Sequence, residues 1–264
     1  MYFDTHAHYD SRAFDADREA LLAALPEQGV ELVLNPGCEL DSSRKAVDYA
    51  RRFPHVYAAV GFHPSDIEKL DDGAMAELSE LARNPKVRAI GEIGLDYHWQ
   101  DYAPRAVQQA GLYRQMELAE SLDLPVILHD REAHADAMEA VRRYPGVRGV
   151  FHCYSGAAPQ ARELVERGWM LSFTGALTFP NERKASEAVL AVPRERVMIE
   201  TDSPYMIPYP RTPEDKKLRR NSSLRVWQVA AKLAQLWDVT LEEAARITTE
   251  NGRRFFRIGE GAVE

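Results

Sequence analysis

Short, almost continuously apolar runs recur along the chain, about 28 residues apart. Such runs are typical of strands that are buried on both faces of a parallel sheet, whereas antiparallel strands usually alternate apolar and polar positions. Amphipathic stretches with a helical period lie between the runs, and residues Arg105–Ser121 are one example. The pattern predicts eight strands, at Tyr2–Thr5, Val30–Leu34, Val56–Val60, Val87–Ile90, Pro125–Leu128, Val147–Phe151, Trp169–Phe173 and Val197–Thr201.

Regular alternation of strand and helix predicts an α/β fold, in which eight βα units close into a (β/α)8 TIM-like barrel. The chain has 264 residues, and we expect residues 1–264 to form one barrel domain. A final helix is expected over Thr240–Phe256, because Thr240 and Glu243 have capping-box spacing. A doubly wound open sheet is the alternative, but it usually has a glycine-rich turn after its first strand, where this chain reads THAHYD.

The composition is that of an ordinary globular protein, with 45% hydrophobic and 28% charged residues. A formal net charge of −8 argues against a broad basic surface that coats nucleic acid. No apolar run approaches the ~20 residues that cross a bilayer, and the N-terminal residues lack the features of a secretory signal. Two cysteines suit a reducing compartment. We therefore expect a cytoplasmic protein without a membrane contact or an obligate protein partner.

Residue types that bind metals stand at the predicted carboxyl ends of five strands, where catalytic groups of a barrel collect. In a strand, residues i and i+2 point the same way, so His6 and His8 are expected to face the barrel mouth together. An isolated pair of histidines is weak evidence, but repetition at five strand ends favours a metal site over buried structural histidines. The candidate ligands are His6, His8, Glu92, His129, His152 and Asp202.

This ligand set exceeds what one tetrahedral catalytic ion requires, since such an ion keeps a position for water. We expect two divalent ions. One would lie among His6, His8 and Asp202, and the other would lie at His129 and His152. Nitrogen and oxygen ligands without thiolate are compatible with Zn²⁺ or Mn²⁺, while Mg²⁺ usually prefers more oxygen, so the ion could be any of these three.

Glu92 and Asp202 are the candidate catalytic residues. The carboxylate of Glu92 would bridge the two ions, which together could generate a bridging hydroxide near neutral pH. Asp202 could accept a proton from the nucleophilic water, or it could serve only as a ligand. The sequence leaves both roles of Asp202 open.

The chain resembles the TatD family of metal-dependent hydrolases, which are related to the amidohydrolase barrels. The resemblance spans essentially the whole chain and implies a TIM-like barrel, a divalent-metal centre and hydrolysis, with deoxyribonuclease activity the best-known assignment. It also implies that the six candidate ligands occupy the family's metal positions. The motifs that carry the resemblance are FDTHAHYD at Phe3, GFHPSD at Gly61, AIGEIGLDYHW at Ala89, PVILHDREA at Pro125, GVFHCYSG at Gly149 and IETDSPYM at Ile199.

Two departures from related sequences bear on the site. Many TatD family members have Arg-Asn-Glu-Pro before the penultimate helix, whereas this chain has Ser222 and Ser223 after Arg220 and Asn221. That difference affects the expected substrate rather than the metal ligands. The fourth strand does not end in lysine, so the carbamylated lysine of some amidohydrolase relatives is replaced here by Glu92.

Further polar residues near the strand ends are candidates for binding substrate or supporting the ligands. His63 could bind a phosphate or a further ion, and Arg131 and Arg211 could bind phosphate oxygens. Asp4 and Glu200 share the register of His6 and Asp202, so we expect them to support the ligands as outer hydrogen-bond partners.

Aromatic residues after strands four, seven and eight could stack on unpaired bases or could pack locally. These residues are Trp99, Phe179 and Tyr205, and Tyr205 is taken as a substrate-binding candidate. Cys153 follows His152 and has the opposite parity, so we expect it to lie outside the barrel interior.

Together these observations predict a divalent-metal-dependent hydrolase that acts on ester bonds, most simply a 3′–5′ deoxyribonuclease acting on single-stranded or end-bound DNA. The alternatives are a D-aminoacyl-tRNA deacylase or another ester or amide hydrolase, because the same nucleophile attacks carbonyl carbon equally well. A non-catalytic metal-binding scaffold is disfavoured by the complete ligand set. The fold by itself does not select the substrate.

Overall fold

The structure, a computed structural model, describes residues 1–211, 213, 217 and 219–259. Eight parallel strands follow one another around the sheet in chain order. This order matches the predicted barrel and excludes the doubly wound alternative, in which the strand order reverses. The strands are β1 (Tyr2–Asp4), β2 (Val30–Pro36), β3 (Val56–Val60), β4 (Val87–Asp96), β5 (Val126–Arg131), β6 (Gly149–Phe151), β7 (Met170–Phe173) and β8 (Val197–Ile199).

Helices follow the strands, as expected for βα units. The predicted helix at Arg105–Ser121 has those bounds, and the last helix begins after Thr240, whose side chain accepts a hydrogen bond from the Glu243 amide at 3.2 Å. The α-helices whose bounds are described are α1 (Arg18–Ala24), α2 (Leu40–Arg52), α3 (Asp72–Ala82), α4 (Arg105–Ser121), α5 (His134–Arg143), α6 (Ala158–Glu166), α7 (Lys184–Leu190), α8 (Val226–Trp237) and α9 (Leu241–Phe255).

The barrel closes where the chain after β1 meets the chain after β8. The Thr5 amide donates to the Ile199 carbonyl at 3.2 Å, and the Asp202 amide donates to the His6 carbonyl at 2.9 Å. An isolated parallel bridge joins Ala7 to Ser203. These bonds bring the first and the last candidate ligands to the same edge of the barrel.

A small cluster of buried side chains, taken largely from alternate strand positions, fills the barrel interior. The end of α9 covers the bottom of this cluster, where the Phe3 and Phe256 rings meet edge to face at 6.0 Å. The larger cluster packs the outer face of the sheet against the helices. The polar residues of the barrel are thereby left at its carboxyl-terminal mouth, where the strands end.

Two strand boundaries differ from the prediction in a way that matters for the site. β4 continues to Asp96 and β5 to Arg131, so Glu92 and His129 lie within strands rather than after them. Apolar runs end at the first glycine or charged residue, but backbone pairing continues through such residues, as the Gly94–His129 register shows. A register shift between Ile90 and Ile93 also breaks the simple alternation at Glu92.

Candidate metal centre

The two histidines after β1 point to the same place, as their spacing predicts. The Nε2 atoms of His6 and His8 lie 3.0 Å apart, and the His6 ring is fully buried. Asp202 approaches from the β8 side, with its Oδ1 3.7 Å from His6 Nε2 and 3.6 Å from His8 Nε2. Glu92 Oε2 faces the same two nitrogens at 3.3 and 3.4 Å. We call His6, His8, Asp202 and this oxygen of Glu92 the first ligand set.

The second oxygen of Glu92 faces a different pair of imidazoles. Glu92 Oε1 lies 2.9 Å from His129 Nδ1 and 2.8 Å from His152 Nε2. The two nitrogens lie 3.1 Å from each other. We call His129, His152 and this oxygen the second ligand set. One carboxylate therefore connects two groups of donor atoms, each small enough to surround one cation.

The arrangement fits divalent cations in both position and chemistry. Metal–ligand bonds of about 2.0–2.1 Å in tetrahedral geometry place ligand atoms about 3.4 Å apart. The separations within the two ligand sets run from 2.8 to 3.7 Å. Among the described residues, the ion-pair partners of Glu92 and Asp202 are histidines rather than lysine or arginine. Two buried carboxylates that are surrounded by imidazoles form a set of donors suited to cations.

The charge state of the two carboxylates suits this role. Burial raises the pKa of Glu92, but the surrounding imidazoles, beginning with His152, outweigh burial and hold the pKa well below its usual range. Burial likewise raises the pKa of Asp202, but the hydrogen bond from His8 and nearby imidazole charge lower it overall. Both groups are therefore anionic near neutral pH, as metal ligands must be.

Glu200 lies one layer below Asp202 and supports the β6 end of the site. Its carboxylate accepts a short hydrogen bond from the Ser172 hydroxyl and a 2.6 Å bond from the Cys153 amide. Glu200 Oε1 is also 3.5 Å from His152 Nδ1. The structure thus places Glu200 where sequence register predicts a supporting residue, beside the far nitrogen of a candidate ligand.

Asp4 supports the backbone rather than an imidazole. It is fully buried, and its carboxylate accepts hydrogen bonds from the Thr201 amide at 2.8 Å, the Thr201 hydroxyl at 2.6 Å and the Ser223 hydroxyl at 2.6 Å. Its contact with His6 is to the backbone amide, at 3.4 Å. Burial raises the pKa of Asp4 to about 7, although the three donors lower it. These bonds also explain why β8 ends before Thr201, whose amide is taken by Asp4.

His63 lies beside the second ligand set. Its Nε2 is 3.7 Å from Glu92 Oε1, and its ring meets the His129 ring at 4.5 Å. The Ser65 amide donates to His63 Nδ1 at 3.1 Å. Burial lowers the pKa of His63 to about 3, so the ring is neutral at physiological pH. Because Nδ1 accepts a hydrogen bond, Nε2 carries the proton of the neutral ring.

A carboxylate that the sequence did not single out, Asp96, contacts a candidate ligand. Asp96 Oδ2 lies 3.2 Å from His129 Nε2, while His129 Nδ1 faces Glu92. Asp96 orients the imidazole in the manner of the outer partners of metal-bound histidines. The signal was present in the sequence, since Asp96 follows Glu92 by four residues and has the same parity within β4.

The two cysteines also line the mouth, which corrects the expectation for Cys153. The alternation of side chains stops with β6 at Phe151, and Cys153 adopts a positive φ of 45°. Its thiol consequently lies in the cavity wall, 3.3 Å from the Thr174 hydroxyl. Cys38, which the sequence did not single out, has its thiol 3.8 Å from His8 Nδ1.

A cavity of about 840 Å³ opens above the ligand sets. This volume lies in the upper part of the range for small-molecule pockets. Arg131 and Tyr205 line the cavity, and the exposed Tyr205 ring lies 6.4 Å from the His8 ring. Arg211 is exposed and does not belong to the lining, so the structure does not bring it together with the other substrate-binding candidates.

A TIM barrel with imidazoles and carboxylates converging at its mouth defines the class of metal-dependent hydrolases. Residues 3–257 match the family described as TatD related DNase, and the chain belongs to this family. The chain is therefore a hydrolytic enzyme of the metal-dependent type. The family resemblance, the barrel and the enzyme class predicted from sequence are confirmed.

Three proteins with similar sequences match this chain over almost their full length. The metal-dependent hydrolase YabD of Bacillus subtilis is 37% identical over 98% of this chain and 100% of its own. The 3′-5′ ssDNA/RNA exonuclease TatD of Cronobacter turicensis is 36% identical over 96% of this chain and 97% of its own. The crystal structure of the TatD homologue YjjV of Escherichia coli has a TM-score of 0.88 at 30% identity and covers 97% of this chain and 98% of its own.

None of the helices in the described part of the chain is both long and apolar enough to cross a membrane.

Proposed function

We propose that the chain is a 3′–5′ exonuclease that removes nucleotides from single-stranded DNA with two divalent cations. The observation that carries the proposal is the division of the Glu92 carboxylate, whose two oxygens face two separate ligand sets. The name of the Cronobacter relative, an exonuclease on single-stranded DNA and RNA, supports this substrate class. A pocket at a barrel mouth in a chain of net charge −8 suits a strand end better than a long duplex.

In this proposal His6, His8 and Asp202 would hold the first cation, and His129 and His152 would hold the second, as Mg²⁺, Mn²⁺ or Zn²⁺. A pair of such cations lowers the pKa of water and stabilises charge on the attacking and leaving oxygens of a phosphodiester. The protein's own part is to fix the two ligand sets around one carboxylate.

Two side chains are placed to move or share a proton during hydrolysis. Asp202 is ionised and its carboxylate lies at the cavity, so we assign it the role of accepting a proton from the attacking water. His63 is neutral and carries its proton on Nε2, the atom that faces Glu92. That N–H group can donate a hydrogen bond to a phosphate oxygen bound beside the second ligand set. Arg131 at the cavity rim can bind a further phosphate.

We also propose that residues 1–264 act as one catalytic domain, because strands β1 to β8 all surround the same mouth. A cytoplasmic location and the lack of an obligate protein partner stay predictions. Arg211 stays a prediction as a phosphate-binding residue.

The test is cleavage of a 5′-labelled single-stranded oligonucleotide by protein supplied in turn with Mg²⁺, Mn²⁺ and Zn²⁺. A ladder of products shortened from the 3′ end is expected, with slower cleavage of the matching blunt duplex. D-aminoacyl-tRNA and a simple carboxylic ester are assayed beside it. An intact oligonucleotide together with hydrolysis of the aminoacyl ester would replace this proposal by the deacylase alternative.

A further inference from the structure

Trp99 is an exposed indole at the mouth of the candidate metal centre. It lies in the turn after β4, is 46% exposed and lines the same cavity as the ligand sets. The guanidinium carbon of Arg131 lies 5.3 Å from the centroid of the Trp99 ring. Phe179, another exposed aromatic residue after a barrel strand, does not line this cavity. Trp99 is thus both exposed and located where a substrate in the cavity can reach it.

Aromatic rings connect the second ligand set to Trp99. The His63 ring meets the Tyr102 ring at 6.2 Å, and the Tyr102 ring meets the Trp99 ring at 6.4 Å. His63 Nε2 is in turn 3.7 Å from Glu92 Oε1. A wall of rings therefore leads from the atoms that would act on a phosphodiester to the rim of the cavity.

The backbone around Trp99 is held by specific contacts. The Tyr97 amide donates to the Arg131 carbonyl at 2.9 Å, which fixes the turn to the end of β5. The His98 amide donates to the Asp96 carboxylate at 2.9 Å. The His98 ring packs edge to face on Trp99, with ring centroids 4.8 Å apart. A ring that is already positioned loses little freedom when a ligand stacks on it.

We propose that Trp99 and Arg131 form the subsite that recognises an unpaired nucleobase and its phosphate, which rests on the proposed function. The indole stacks on the base, and Arg131, exposed at the rim beside it, binds the adjoining phosphate. Every base has an aromatic face, so this contact does not depend on sequence. Bases within a duplex have both faces covered by their neighbours. The subsite therefore makes the enzyme prefer single strands.

The experiment compares Trp99→Ala and Trp99→Phe with Phe179→Ala as the matched control, using metal-loaded protein. The oligonucleotide carries 2-aminopurine at its 3′ end. For cleavage, Trp99→Ala is expected to raise KM about 5- to 140-fold with kcat nearly unchanged, while Trp99→Phe restores most of the affinity. Binding is measured with an analogue of this oligonucleotide that has phosphorothioate linkages at its 3′ end, because these linkages slow cleavage. Its 2-aminopurine fluorescence is quenched by wild type and Trp99→Phe but not by Trp99→Ala.

Arg131→Gln separates the two members of the subsite, with the exposed Arg162 on α6 providing the control Arg162→Gln. Loss of one phosphate contact on a single strand is expected to make the negative slope of log affinity against log salt shallower by about 0.7. Quenching of 2-aminopurine fluorescence should persist. Equal KM and equal quenching in Trp99→Ala and Phe179→Ala would overturn the subsite and leave the exonuclease intact. A wild type that neither cleaves the oligonucleotide nor quenches its fluorescence would overturn both proposals. Quenching without cleavage would overturn the proposed function alone.

Discussion

The hydroxyl of Ser223 donates a 2.6 Å hydrogen bond to the buried carboxylate of Asp4. The bond links β1 to the turn that precedes α8, directly below the first ligand set. Tyr9 completes the contact, since its hydroxyl donates to the Ser223 hydroxyl at 2.8 Å. Ser223 stands where the Arg-Asn-Glu-Pro pattern has proline. The residue that departs from the pattern therefore provides a hydrogen bond that supports the site.

Ser223→Ala should destabilise the fold. It removes a donor from a fully buried carboxylate, so we expect the free energy of unfolding to fall by about 1.5–3 kcal/mol. The pKa of Asp4 should rise above its present value of about 7, because the lost donor lowers it. Urea unfolding measures the first effect. Ser79→Ala, on the outside of the barrel in α3, should change stability by less than about 0.5 kcal/mol, and a similar loss there would contradict the role of Ser223.

Glu92→Gln should reduce both metal occupancy and turnover. The substitution replaces one carboxylate oxygen by an amide nitrogen, which does not coordinate a cation. One ligand set therefore loses a donor atom. We expect kcat to fall by at least about 100-fold and the Mn²⁺ stoichiometry measured by calorimetry to fall below that of wild type. Glu166→Gln on α6 is the control. Wild-type stoichiometry in Glu92→Gln would show that Glu92 does not connect the two sets.

Asp202→Asn distinguishes a proton acceptor from a simple ligand. The amide keeps one oxygen for a cation but has no basic site. If Asp202 accepts the proton of the water, kcat falls far more than the affinity for Mn²⁺, and the acidic limb of the pH–rate profile disappears. A variant with weakened Mn²⁺ affinity but a wild-type pH profile at saturating metal would make Asp202 a ligand only.

Removal of divalent cations should abolish activity and leave the fold in place. The hydrophobic clusters hold the barrel without help from the ligand sets. Circular dichroism after chelation is expected to match that of the loaded protein. Addition of Mn²⁺ at 100 times its dissociation constant should stabilise the protein by about 2.7 kcal/mol per site, observed as a rise in Tm. Loss of secondary structure on chelation would contradict this account.

His55 should make the protein less stable as the pH falls, because the ring is partly buried. The ring contacts the Leu22 carbonyl at 2.9 Å, and burial lowers its pKa below the usual value. At a pH between the folded and unfolded values, the unfolded chain binds a proton that folded His55 does not. The contribution of His55 is therefore complete above about pH 6.5 and is lost as the pH falls towards its folded pKa.

His55→Gln keeps a donor for Leu22 but removes this titration. Urea unfolding at about pH 7.5 and about pH 5.5 should show a smaller loss of stability for His55→Gln than for wild type. An equal or greater loss in the variant would show that His55 is protonated in the folded protein.

Sequence reasoning found the barrel because parallel strands buried on both faces leave an apolar signal at regular intervals. It found the six candidate ligands because most of them follow such runs. It placed Glu92 after β4 rather than within it, since pairing through Gly94 leaves no trace in hydrophobicity. Tyr102 could not be found this way, because it reaches the cavity from a turn whose path depends on contacts with distant residues.

Closure of the barrel between the chain after β1 and the chain after β8 has a consequence for synthesis. Domains acquire their structure as the chain leaves the ribosome from its N-terminus. His6 and His8 emerge first, but Asp202 and the Ser223 hydroxyl that supports Asp4 emerge near the end. A nascent chain therefore carries an incomplete ligand set until most of it has been translated, so hydrolytic competence arrives together with the finished barrel.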